Sequence, residues 1–240
     1  MRRHVLLKFL LPTLSLLMMS VGFISCASTK TPNRGGLATK PDNINYTRVY
    51  EDKGYLISRI YYPEIGTYTV LNDKIRSIID EEWISYQQYA KENWDGISSS
   101  YNFEAESVVR SKYNIISIKL LVRTSKGAGL EEANLKAITL SYDKSSDKFL
   151  TITEVSGLTI DEIATRCNKA LKISLIEKKR NRLTEEEISE LEKRIDEFTT
   201  ADPKNFDCFS LEGDYLAVYF NGLVPAKYSE DIAKAELYLN

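Results

Sequence analysis

Residues 46–65 alternate apolar and polar side chains in two runs, "YTRVY" and "YLISRIYYPEI", separated by the turn-prone Asp52-Lys53-Gly54. A period of two predicts strands with one face on a core and the other wetter. From Leu71 to about Tyr89 the spacing lengthens, and Leu71, Ile75, Ile78, Ile79 and Trp83 fall along one side of a predicted helix. A polar stretch around Asp95-Gly96 ends it. The period of two then returns. Tyr101, Phe103, Ala105 and Val109 alternate with Asn102, Glu104 and Glu106; Ile116, Ile118, Leu120 and Val122 share a face, as do Ile138, Leu140 and Tyr142. These three runs predict an antiparallel meander.

Two further helices announce their starts. Thr159 stands three residues before Glu162, and Thr184 three before Glu187. Each pair fits a capping box, in which the hydroxyl and the carboxylate satisfy otherwise orphaned backbone donors. Ile160, Ile163, Cys167, Ala170 and Leu171 line the first helix; Ile188, Leu191, Ile195 and Phe198 line the second. "FDCFSL" and "YLAVYF" flank Glu212-Gly213-Asp214 as a hairpin, with "AKAELYL" able to return beside it. No internal repeat is present. The order predicts an α+β fold, a mostly antiparallel sheet with about three helices packed on one face.

The N-terminus follows a different logic. Arg2, Arg3 and Lys8 precede an apolar run from Phe9 to Ile24, and Ser25, Ala27 and Ser28 flank Cys26. A basic start, an apolar middle and a small-residue exit describe a secretory leader. The run is 16 residues with Pro12 inside it, short of the roughly 20 that a membrane span requires. Phe23-Ile24-Ser25 before Cys26 resembles the bacterial lipoprotein cleavage box, with Phe23 where that pattern prefers Leu. The resemblance implies cleavage after residue 25 and lipidation of Cys26, whose acyl chains would anchor the protein at roughly 0.8 kcal/mol per buried methylene. Residues 27–44, rich in Ser, Thr, Pro, Gly and Lys, read as a flexible tether. Three segments are therefore expected: a leader over 1–25, a lipidated cysteine and tether over 26–44, and one extracytoplasmic domain over 45–240.

Cutting the leader changes the chemistry. It removes three basic residues, so Lys+Arg falls from 32 to 29 against 34 Asp+Glu, a net charge of −5. An acidic chain argues against nucleic acid as a partner and against electrostatic binding to anionic headgroups. The only histidine, His4, leaves too. Ser-His-Asp and Cys-His catalysis, His-ligated zinc and any His general base are thereby excluded from the mature chain. No phosphate loop, EF-hand loop or Cys-x-x-Cys pair is present, so no metal or cofactor is expected. "SKGAGL" at 125–130 reads as a strand-to-strand loop. Glu185-Glu186-Glu187 reads as a helix start favoured by the macrodipole. Asp80-Glu81-Glu82 lie side by side on a helix and point in different directions. Cys167 and Cys208 either pair as a disulfide closing a loop of about 40 residues or remain two buried thiols.

All 15 tyrosines lie in the mature chain, with Tyr55, Tyr61, Tyr62 and Tyr101 in predicted strands and Tyr219 and Tyr228 in the C-terminal unit. Aromatic residues with a polar tip serve both β cores and recognition surfaces.

Four stretches resemble a family of extracytoplasmic bacterial domains of the RsiV/PdaC type. That family includes the external part of a lysozyme-sensing anti-sigma factor and the non-catalytic part of a peptidoglycan deacetylase. The stretches are Tyr62-Pro63-Glu64-Ile65 with Asn72, "LSYDKSSDKFLTITEV" at 140–155, "NFDCFSLEGDYLAVYF" at 205–220 and "LVPAKYSEDI" at 223–232. The last departs at Ser229-Glu230-Asp231, where many members carry a small residue and then glycine. The resemblance implies an envelope-facing module that binds a lysozyme-like muralytic enzyme or peptidoglycan, with Tyr219, Lys227 and Tyr228 as its candidate binding surface.

The leading expectation is a non-enzymatic, lipid-anchored binding module of the bacterial cell envelope, held to the membrane through Cys26. One alternative is a cell-wall glycan hydrolase using carboxylates alone, which requires two carboxyl groups about 5 to 9 Å apart. The other is a structural envelope lipoprotein.

Overall fold

The computed structural model describes residues 43–97, 100–127, 133–224 and 231–239. Cys26 and the segment before Asn43, Lys227 and Tyr228 lie outside the described residues.

The first half of the chain builds a six-stranded sheet, ordered β1 (Ile44–Asp52), β2 (Leu56–Ile65), β3 (Tyr101–Lys112), β4 (Ile115–Lys126), β5 (Asn134–Asp143) and β6 (Lys148–Phe149). At the β1–β2 turn the Asp52 carboxylate accepts from Gly54 N at 2.8 Å, and Gly54 takes a left-handed φ of 78° that suits a residue without Cβ. The helix α1 (Thr69–Asn93) then carries the chain from the end of β2 back to the start of β3, so that this one pair is parallel and the others antiparallel. Asn72 fixes the entry to α1: its Oδ1 accepts from Ile65 N at 2.8 Å.

Alternation decides what each face of this sheet does. Leu56 and Ile60 of β2, Phe103 and Ala105 of β3, and Ile116, Ile118 and Leu120 of β4 point one way. They close a core over Leu71, Ile75 and Ile79 of α1. Ser58, buried on that face, accepts from Trp83 Nε1 of α1 at 2.9 Å.

The second half builds a separate layer. α2 (Ile152–Ser156), α3 (Ile160–Leu171) and α4 (Glu185–Phe198) each start at a capping box, Thr151 with Glu154, Thr159 with Glu162 and Thr184 with Glu187. A π turn (Lys172–Ile176) and a 3-10 stretch (Glu177–Arg182) join α3 to α4. A three-stranded antiparallel sheet follows, ordered β7 (Phe209–Glu212), β8 (Tyr215–Phe220) and β9 (Ala233–Tyr238). Leu216, Val218 and Phe220 of β8 face Ile163, Cys167 and Leu171 of α3 and Ile188, Leu191 and Ile195 of α4. Ala217 and Tyr219, on the opposite side of β8, pack with Ala137 and Leu121 of the large sheet.

The fold is α+β, as the order of elements predicts. The single sheet anticipated from sequence is two sheets, and the helices are divided between them: α1 backs the large sheet, while α3 and α4 back the small one. Among the described residues no helix is long and apolar enough to cross a membrane.

Candidate binding groove

The small sheet does not cover all of the large sheet's outer face. β7 lies over β3, β4 and β5, and among the described residues β1, β2 and the first half of β3 keep exposed side chains on that face. The side chains on that open part follow from register. Arg48 of β1 stands opposite Tyr61 of β2, Tyr50 opposite Arg59, and Arg59 opposite Glu104 of β3. Glu106 is two residues further along β3 and so on the same face.

These residues line a cavity of about 510 Å³. Its floor is braced in three ways. The rings of Tyr46 and Tyr61 stack with centroids 4.5 Å apart and planes 7° from parallel. The Arg48 guanidinium lies 5.1 Å from the Tyr61 ring centre, a cation–π distance. Arg59 Nη1 donates to Glu104 Oε1 at 2.9 Å. Burial, together with the neighbouring Tyr61 phenol, pushes the Tyr46 phenol above its usual pKa, against the opposing pull of Arg110. Tyr50 is different: 67% of its surface is exposed. A fixed aromatic pair, a free tyrosine and alternating guanidinium and carboxylate groups suit a ligand rich in hydroxyls and amides. Such a ligand accepts hydrogen bonds from the guanidinium groups, donates them to the carboxylates and stacks on a ring.

Apart from the groove, a polar cluster joins the two sheets. Lys119 Nζ of β4 donates to Glu212 Oε1 of β7 at 2.8 Å and to Tyr219 Oη of β8 at 3.1 Å. Tyr219 Oη donates to Glu212 Oε1 at 2.9 Å, and Ser210 Oγ donates to the same carboxylate at 3.2 Å. Ser117 Oγ accepts from Leu211 N at 2.9 Å. Burial pushes the Tyr219 phenol well up. Burial also opposes ionisation of Glu212, yet the hydrogen bonds from Lys119 and Tyr219 hold its carboxyl below the ordinary carboxylate range.

This placement corrects the expectation for Tyr219. The resemblance places it with Lys227 and Tyr228 on a binding surface, but its side chain is buried at the sheet–sheet contact. A second sheet covers the strand face on which it sits, so its phenol serves packing and the polar cluster.

The cysteines remain free thiols, and the disulfide is not formed. Cys167 sits in the core between α3 and the small sheet, whereas Cys208 packs at the contact between sheets, its Sγ donating to Ala137 O at 3.3 Å. Burial pushes Cys167 up to about 12 and Cys208 up to about 11, so neither is poised as a thiolate.

Sequence reading found Tyr61 as a strand tyrosine but missed Arg48, Tyr50, Arg59, Glu104 and Glu106 as a group. Their signal was alternation: each is the polar member of an apolar–polar pair, and together they mark the wetter face of three strands.

No family model matches the chain, and no curated protein matches it. Among solved structures it is similar to a DUF3298 family protein from Pseudomonas aeruginosa PAO1, at 13% identity over 83% of this chain and 91% of that one, with a TM-score of 0.53. It also aligns with a member of the DUF3298 family from Bacteroides fragilis NCTC 9343, at 15% identity over 85% and 91% of the two chains, with a TM-score of 0.48. At such identity the Pseudomonas likeness speaks to architecture alone: the fold of this chain is similar to that of a DUF3298 family protein.

Proposed function

We propose that the chain is a lipid-anchored, non-enzymatic binding module on the extracytoplasmic face of a bacterial membrane, holding a cell-wall glycan segment in the groove on β1–β3. The observation that carries the ligand reading is the groove itself, in which Tyr50, Arg48, Arg59, Glu104 and Glu106 share one open sheet face. The leader-like residues 1–25 before Cys26 support the envelope location, and the RsiV/PdaC-type stretches support a cell-wall ligand.

A lysozyme-like muralytic enzyme is the second reading. The net charge of −5 after residue 25 (29 Lys+Arg against 34 Asp+Glu) favours a basic protein partner. The carboxylate hydrolase keeps one candidate pair, Glu104 and Glu106, about 7 Å apart along β3 by strand rise.

Three measurements on the purified chain separate these readings. Retention of peptidoglycan fragments without release of reducing ends supports the glycan reading. Retention of lysozyme, with no hold on fragments, moves the function to the second. Release of product overturns the non-enzymatic claim. For the anchor, Cys26→Ser is expected to abolish lipid labelling and free the protein from membranes; unchanged membrane retention contradicts it.

A further inference from the structure

The tip of the β3–β4 hairpin breaks a rule of turn chemistry. Lys112 pairs with Ile115, so Tyr113 and Asn114 form a two-residue turn. Tyr113 takes φ of 54°, the left-handed region that glycine occupies by default at the first position of such a turn. A bulky aromatic residue there is an outlier that stores local strain. Little packing offsets this: Tyr113 is 81% exposed, and Lys112 Nζ lies 5.8 Å from its ring centre.

The tip is joined to its surroundings. Lys144 N, in the β5–β6 turn, donates to Asn114 O at 2.8 Å, so two turns form one end of the large sheet. Val70 at the start of α1 and Phe149 of β6 add exposed apolar surface at the same end, 46% and 37% exposed. The charged groups named there balance, Lys112, Lys144 and Lys148 against Asp143, Asp147 and Glu154. Asp143 accepts from the Ser145 and Ser146 hydroxyls at 2.7 Å each, and Glu154 takes Lys148 at 3.0 Å. Asp147 precedes Lys148 in the β5–β6 turn.

The described chain also begins at this end, where Gly66 N donates to Asn43 O at 2.9 Å and closes β1 against the end of β2. The β2–β3 register, with Ile60 opposite Ala105, extends to put Ile65 level with Arg110. Tyr113 therefore projects about three residues, roughly 10 Å, beyond the start of β1.

We infer that this end of the domain docks on the bilayer surface, with Tyr113 entering the headgroup zone. The inference rests on the reading of Cys26 as a lipid anchor. A tether from Cys26 to Asn43 has an r.m.s. reach of roughly 20–25 Å, less than the roughly 30 Å length of β1, so the end where β1 starts is the end held nearest the membrane. A tyrosine flanked by lysines matches the interfacial zone, where amphipathic rings and snorkelling amines settle. The near balance of charge at this end means docking relies on the ring and the lysine stems, not on an anionic surface. Docked this way, the sheet stands on its end, and Arg48 and Tyr50 sit roughly 14–20 Å further from the bilayer along β1.

The test uses the full chain, expressed with its leader and reconstituted in phosphatidylcholine vesicles. A fluorophore is placed at Tyr113→Cys and, as a comparison, at Ile97→Cys, which is 94% exposed in the loop at the opposite end. Docking predicts that brominated lipid quenches the label at 113 and that aqueous iodide quenches the label at 97. Retention on vesicles with iodide quenching at both positions, or lipid quenching at 97 alone, overturns the docking inference while leaving the anchor intact. A chain that does not stay with the vesicles overturns the anchor reading and this inference together.

Discussion

Lys119 and Glu212, 93 residues apart in sequence, meet at 2.8 Å across the gap between the two sheets. Each side chain is 17% exposed, and Tyr219 closes the triangle with hydrogen bonds to both. Removing either charged partner strands the other in a half-dry site. Glu212→Gln and Lys119→Met should therefore each lower stability by about 1–3 kcal/mol, and Tyr219→Phe by about 1 kcal/mol. The effects should not add, because all three groups share one network. Urea unfolding of the single and double variants measures this, and additive losses would contradict a coupled cluster.

The same cluster sets a pH window. Glu212 has a folded pKa below the ordinary value, so its stabilisation is complete above the unfolded carboxylate pKa of about 4.3 and is lost as pH falls through the folded value. Hydrogen bonds from Thr151 hold Glu154 down to about 2, and those from Ser145 hold Asp143 down to about 2, so both act in the same direction. Tyr219, pushed up by burial, contributes stability that is complete below about pH 10 and disappears as pH rises through its folded value. Burial raises Cys167 and Cys208 as well, so stability also declines once unfolded thiols ionise above about pH 8.5. Urea midpoints should be flat from about pH 4.3 to about pH 8.5 and fall on both sides. Glu212→Gln should remove part of the acid limb, and Tyr219→Phe part of the alkaline one.

The capping boxes make an independent prediction. Thr159 Oγ1 accepts from Glu162 N at 3.3 Å while Glu162 accepts from Thr159 N at 2.8 Å, and Thr184 with Glu187 repeats the pattern at 3.2 and 2.8 Å. Thr159→Ala and Thr184→Ala should each cost about 1 kcal/mol, read as a lower thermal midpoint with the groove unaffected. A change in ligand binding by either variant would mean that α3 or α4 reaches the site, contrary to the layer order.

Tyr113 predicts a gain. Its backbone conformation has a positive φ of 54° and its side chain is 81% exposed. Tyr113→Gly should stabilise the fold by roughly 1 kcal/mol, the strain that a Cβ carries in the left-handed region. An equal or lower unfolding midpoint in Tyr113→Gly would show that the turn is not strained.

The sequence revealed elements better than their assembly. Thr159 and Thr184 announced their helices because a Thr-x-x-Glu box precedes a long apolar period. Thr151-Ile152-Thr153-Glu154 carries the same box, yet α2 is only five residues, too short for a period to show. "YLAVYF" read as a strand, but its unbroken apolar run reflects burial on both faces, against helices on one side and the large sheet on the other. Local alternation reports which side chains share a face and is silent on which strands share a sheet. For that reason Tyr219 was expected at a surface and is buried, while Tyr50 and Arg59 passed as ordinary wet-face residues and line the groove.

The central claim is that the open face of β1–β3 holds a glycan, and Tyr50 tests it most directly because its ring is 67% exposed and its loss should spare the fold. Calorimetric titration of the chain with soluble peptidoglycan fragments should show binding without heat from turnover. In Tyr50→Ala that binding should weaken about tenfold, a loss of about 1.4 kcal/mol, with an unchanged thermal midpoint. Undiminished binding by a folded Tyr50→Ala variant would contradict the account.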